Sequence, residues 1–116
     1  MSASVAPKSQ GYWKNRPAEW PSQYSPSAQF YVSGQTWLQV INSNSSSGQW
    51  VNLATQFIAA KLNVANGAQP PADVAAAIAE AETLLSTTTA KTKLSRAEQQ
   101  HYVRLAKVLD DWNKSS

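Results

Sequence analysis

The sequence predicts a mainly α domain: a small bundle of about three main helices, with an N-terminal aromatic loop and a short β-hairpin packed on it. Three observations carry this. Apolar residues recur at steps of three and four from about Trp37 onward, the period of a helix face. Pro17, Pro21 and Pro26 recur too closely for a long helix or a central strand in the first third. Residues 12–37 hold seven of the eleven aromatic residues, namely Tyr12, Trp13, Trp20, Tyr24, Phe30, Tyr31 and Trp37. Rings that large must either pack onto helices or face a partner.

Met1 to Gln10 is small, polar and aperiodic, which predicts a flexible arm over residues 1–10. Residues 11–113 form the single globular domain, divided into an aromatic loop and hairpin at 11–37 and a helical part at 38–113, with a tail at 114–116. Gly11 to Ser27 reads as an ordered loop with one turn around Ala18 to Trp20. Phe30 to Trp37 has β-forming residues flanking Ser33-Gly34, the pattern of a short hairpin whose aromatic face must lean on the helices. Leu38, Val40 and Ile41 form a brief helical segment that the polar Asn42 to Gly48 loop ends.

The strongest pattern follows. Trp50, Leu53, Ala54, Phe57, Ile58, Lys61, Leu62 and Ala65 draw one stripe along a helix from about Gln49 to Ala65, with Asn66-Gly67 as a left-handed stop. Pro70-Pro71 permits a new start, and Val74, Ala77, Ile78, Ala81, Leu84 and Leu85 make the face of a second helix. Ser86 to Thr92 breaks it. Ser95 and Glu98 have capping-box spacing, and Tyr102, Leu105, Ala106, Leu109 and Trp112 are the buried face of a third helix. The many alanines of the second helix favour close approach and hence a compact bundle.

At 116 residues the chain is one domain with one core. Its charged fraction of 15% is well below the usual ~25%. The net charge of +3 arises in the first seventy residues, from Lys8, Lys14, Arg16 and Lys61 against Glu19. Phosphate-tracking proteins need a dense basic stripe, so a nucleic-acid partner is not expected. The chain has no cysteine, which removes disulfides, thiolate nucleophiles and zinc knuckles. No apolar run approaches the ~18 residues of a membrane span, so no membrane insertion is expected. Met1 to Gln10 also lacks the apolar centre of a signal peptide, which reads as either a cytosolic chain or a mature one whose leader has been removed. Asn44-Ser45-Ser46 and Asn113-Lys114-Ser115 match the N-glycosylation acceptor pattern, both at positions expected to be exposed.

Three blocks of the chain, Gly11-Tyr12-Trp13-Lys14-Asn15-Arg16-Pro17-Ala18-Glu19-Trp20-Pro21, Ile58 to Ala68 and Leu105 to Asn113, carry a resemblance. Together they resemble a module of secreted and cell-surface proteins, mostly bacterial. Its pattern reads Gly-Tyr-Trp-Lys-Asn-His-Pro-Glu-Ala-Trp-Pro, then a helix similar to LIAAKLNIANGA, then a tail similar to LAATLDAYN. The blocks fall in the same order over about residues 10–113. The resemblance implies an extracellular setting and a unit boundary, and no reaction. Arg16 stands where the module has His, and Ala18-Glu19 replaces Glu-Ala, so no metal or acid/base role of that His carries over. Trp112 stands where the module commonly has Tyr, as expected of a packing position that accepts either ring.

Catalytic residues are scarce. His101 is the only histidine, three residues after Glu98 on the last helix, and reads as a solvent-facing or rim side chain. A metal site needs three or four ligands, and no cofactor or metal is expected. Asp110 and Asp111 point about 100° apart on a helix and do not converge. Ser45 to Ser47 has no base beside it and reads as loop and N-cap chemistry.

The aromatic run is where function competes with structure. In one reading Trp13, Trp20 and Trp37 plug the bundle, each offering its indole N–H to a loop carbonyl. In the other, the candidate ligand-binding set is Tyr12, Trp13, Lys14, Asn15, Arg16, Trp20, Tyr24 and Tyr31, with Gln23 adding a donor. Flat rings beside amide and cationic donors suit a sugar ring or a polar protein surface. Lys14 and Arg16 can also stack on the rings without any ligand. The expected function is a non-catalytic extracellular recognition module that binds a glycan or cell-surface partner. The alternative is a structural or adhesive spacer, or a self-associating domain, and a small hydrolase ranks last.

Overall fold

A computed structural model describes residues 5–115, and its helices run α1 Gln10–Lys14, α2 Trp37–Ile41, α3 Gln49–Ala65, α4 Ala72–Leu85 and α5 Arg96–Asn113. Single 3-10 turns occur at Pro17–Glu19 and Ser45–Ser47. The three long helices have the limits and faces that the apolar periodicity predicts. The α3 stripe is widened by Thr55, Ala59, Ala60 and Asn63, all buried, because α3 is the central element. It packs against α1, α2, α4 and α5 together.

Side-chain pairings set the directions of the helices. Trp50 at the start of α3 donates its indole N–H to Thr88 just beyond α4 at 2.9 Å, and Lys61 near the end of α3 pairs with Glu82 at 3.5 Å. Helix α4 therefore runs antiparallel to α3. Gln49 lines a cleft with Gln99, while Asn63 bonds Asn113, so α5 runs parallel to α3. Ala77 and Ala81 are buried on α4, where short side chains let the helices close up.

Local chemistry explains the helix ends. Ser95 and Glu98 form the expected capping box, and Thr36 with Gln39 forms a second at the start of α2. At the end of α3, Gly67 N–H bonds Val64 O at 3.0 Å and Ala68 N–H bonds Asn63 O at 2.9 Å, the paired bonds of a Schellman stop. Gly67 sits at φ 108, a conformation open to glycine and strained for other residues.

Two expectations are corrected. Among the described residues there is no strand, so the hairpin over Phe30 to Trp37 does not form; one antiparallel bridge, Gln29 to Thr36, closes a tight loop instead. A strand would send Phe30 and Tyr31 to opposite faces, yet both rings join one cluster, at 4.8 Å from each other. Tyr31 turns to φ 48 to achieve this, and Trp37 starts a helix instead of a second strand. The expectation of a flexible arm over residues 1–10 also fails at its inner end. Residues 1–4 lie outside the described residues, but Lys8 is tied by its backbone to Asn63, and Ser9 caps α1.

That tie is part of a buried polar node. Asn63 Oδ1 accepts from Lys8 N–H at 2.7 Å and from Trp13 Nε1 at 2.9 Å. Its Nδ2 donates to Lys8 O at 2.8 Å and to Asn113 Oδ1 at 2.9 Å. Asn113 in turn donates to the Gln56 backbone and side-chain oxygens at 3.1 and 3.0 Å. Both capacities of each Asn63 amide atom are used, and among the described residues no buried side-chain polar atom lacks a partner. Replacing Asn63 with Ala strands several of these groups, and each buried orphan costs about 1–3 kcal/mol. N63A is expected to lose about 3 kcal/mol or more in denaturant melts, against about 0.5 or less for V64A at the exposed neighbouring position; equal losses would remove the node from its central place.

Candidate functional site

The eight candidate residues separate by depth. Trp13 is 2% exposed and Trp20 8%, and their indole N–H groups bond Asn63 Oδ1 and the Trp13 carbonyl, each at 2.9 Å. Neither offers a ring face to a ligand, which corrects their place in the candidate set. Trp37, Trp50 and Trp112 are buried too, so all five indoles belong to the core. For Trp13, Trp20 and Trp50 the reason is chemical: an indole has one donor, which a single internal acceptor satisfies.

The remaining six lie in two parts of the fold. In the first, Tyr12 lies half-buried with its ring edge on Trp13. The Arg16 guanidinium sits 4.3 Å from the Tyr12 ring centre and the Lys8 ammonium 5.5 Å. Tyr12 Oη donates to Glu19 at 2.9 Å, and Arg16 approaches the same carboxylate at 3.8 Å. The hydrogen bond to Glu19 is the main cause of a raised Tyr12 phenol pKa. This ring is thus already stacked by its own chain. Exposed Asn15 caps α1, its side chain bonding Gly11 O at 3.0 Å, and half-buried Lys14 lies in the last turn of the same helix.

The second group is built on α3 and α4. Tyr24 packs on Trp37 at 5.0 Å, Tyr31 on Phe30 and Trp37, and Phe57 of α3 lies behind them. Glu82 binds both neighbours: one oxygen accepts from Tyr31 Oη at 3.1 Å, and the other pairs with Lys61. Beside Tyr24 opens a cleft of about 360 Å³, lined by Gln23, Tyr24, Lys61, Val64, Ala65 and Ile78. It combines a flat ring, an amide, an ammonium group and apolar side walls. Such a surface can hold a polar ring by stacking and hydrogen bonding.

Lys61 and Glu82 were not among the candidates. The signal for Lys61 was its charge within an apolar stripe, which calls for a partner; that the partner is Glu82 on α4 depends on how the helices pack. Elsewhere, His101 is half-buried and bonds Glu80 across the α4–α5 contact. Asp110 and Asp111 pair separately with Lys114 at 3.0 Å and Lys107 at 3.1 Å. Asn44 is exposed as expected, but Asn113 is fully buried in the polar node, which corrects its expected exposure. Among the described residues no cluster of three His, Cys, Asp or Glu is placed to hold a metal ion, and no helix is long and apolar enough to cross a membrane.

Compared with family models, curated proteins and solved structures, the chain shows no match. What fold and site define is a compact, aromatic-rich helical domain with a cleft of mixed polar and apolar lining beside Tyr24.

Burial first, and the Glu82 carboxylate second, raise the Tyr31 phenol well above its ordinary 10.0. Above pH 10.0 the unfolded chain releases this proton while the folded chain keeps it, so the phenol's contribution to stability is full below that pH and falls beyond it. The stability gap between wild type and Y31F should therefore narrow from about pH 10 upward in denaturant melts. A gap independent of pH would mean that the phenol titrates normally.

Proposed function

We propose that this chain is a non-catalytic recognition module of the extracellular space that takes a glycan in the cleft between Tyr24 and Lys61. The observation that carries the reading is the Tyr24 ring, half-exposed and held at 5.0 Å by buried Trp37, at the edge of a cleft that also presents Gln23 and Lys61. A ring fixed from behind loses little freedom when a ligand stacks on it, and preorganisation of this kind favours affinity. Gln23 and Lys61 supply donors that hydroxyl groups of a sugar can accept from. The extracellular setting rests on the resemblance of Gly11 to Pro21, Ile58 to Ala68 and Leu105 to Asn113 to a module of secreted and surface proteins. A polar patch on a cell-surface protein is the other ligand this chemistry suits.

The second reading is a structural or adhesive spacer, or a self-associating unit. It is favoured by the burial of all five indoles, which assigns the Trp content of the aromatic segment to packing. The hydrolase reading draws no support from the pairs that form, since Asp110, Asp111 and His101 each bind a separate partner.

A glycan array probed with the intact protein tests the proposal. Binding should fall about tenfold or more, roughly 1.4 kcal/mol, in Y24A and K61M, with Q23A as a milder change that leaves the ring platform in place. Circular dichroism checks that each variant is folded. Binding that survives all three substitutions removes this cleft, and an array without a bound glycan or cell-surface polymer leaves the spacer as the function.

A further inference from the structure

The chain carries two acceptor sequences for N-linked glycans, and the fold treats them oppositely. Asn44 lies in the exposed connection between α2 and α3. Its Oδ1 accepts from Ser46 N–H at 3.0 Å and from Ser46 Oγ at 2.7 Å, so the hydroxyl that defines the acceptor pattern is already directed at the Asn44 amide. Its neighbours Asn42, Ser46 and Ser47 are also exposed, and a large polar substituent there meets solvent.

Asn113 is 0% exposed. Its Oδ1 accepts from Asn63 Nδ2 at 2.9 Å, and its Nδ2 donates twice to Gln56, at 3.1 and 3.0 Å. A sugar on that nitrogen would replace one of its two hydrogens and occupy the space where α3 and α5 pack. A chain modified at Asn113 before folding could not close the polar node.

We infer that Asn44 is the N-glycan attachment site of this chain and that Asn113, despite the same signature, is excluded from the folded protein as one. The co-substrate is a lipid-pyrophosphate-linked oligosaccharide, delivered by an oligosaccharyltransferase. A bond forms from Asn44 Nδ2 to the anomeric carbon, the bond from that carbon to the pyrophosphate oxygen breaks, and the lipid pyrophosphate leaves as Nδ2 gives up one proton. Asn44 precedes the start of α3, whereas Lys61 lies twelve residues beyond Gln49 on that helix. At 1.5 Å per residue this separates the two ends by about 18 Å. Asn44 is not among the residues that line the Tyr24 cleft, and the inference stands apart from what that cleft binds.

The full chain, sent through the secretory pathway of a eukaryotic cell behind an added leader, provides the test. Mass mapping of the secreted, folded protein should find the Asn44 peptide glycosylated and the Asn113 peptide bare. N44Q and S46A should each abolish the glycan, S115A should leave it unchanged, and the N44Q protein should melt as the enzymatically deglycosylated protein does. An unmodified Asn44 in the secreted wild-type chain, or a glycan on Asn113 in folded protein, overturns the inference. Neither result depends on whether the glycan array is positive.

Discussion

Asn63 holds together stretches of chain that have no local reason to meet. Its side chain binds the segment before α1, the indole of α1 and the last residue of α5, at sequence separations of 55, 50 and 50 residues. A buried amide is costly unless its donors and acceptors are all used, and here they are used by groups that would otherwise be orphans themselves. Each bond makes the others more necessary, because in a low-dielectric interior no water replaces a lost partner. The node thereby fixes which side of α1 faces inward and where α5 ends against α3. The three blocks of sequence that carry the resemblance contribute Trp13, Asn63 and Asn113 to it.

The node also shapes the surface. With Trp13 drawn to Asn63 and Trp20 drawn to the Trp13 carbonyl, the tryptophans become packing units. The tyrosines follow a different rule, since a phenol both donates and accepts and is satisfied where solvent or a carboxylate is near. Tyr12 and Tyr31 accordingly sit at the boundary with Glu19 and Glu82. What faces outward from the aromatic run is phenolic, and it is concentrated where α3 and α4 supply an ion pair beside it.

The candidate site was legible in part. Tyr24 and Gln23 could be picked from the sequence as a ring with an amide neighbour, but Lys61 and Ile78, which complete the cleft, come from helices and lie 37 and 54 residues beyond Tyr24. The hairpin expectation failed for a related reason. The residue types of Phe30 to Trp37 suit strands, yet a two-stranded element must beat the gain from burying Phe30 and Trp37 against Phe57. Packing onto α3 decided the backbone, including the left-handed turn at Tyr31.

Sequence alone determined whatever depends on neighbours within a few residues: the limits of α3, α4 and α5, the Ser95 capping box and the Gly67 stop. Period and caps are local, so a one-dimensional reading captures them. Only the tertiary structure decided which rings are sealed, that Asn113 is internal while Asn44 is open, and that Lys61 meets Glu82 beside Tyr24. Those outcomes depend on pairing polar groups across tens of residues, where the partner of an amide or an indole is chosen by the packing of whole helices and leaves no mark in local spacing.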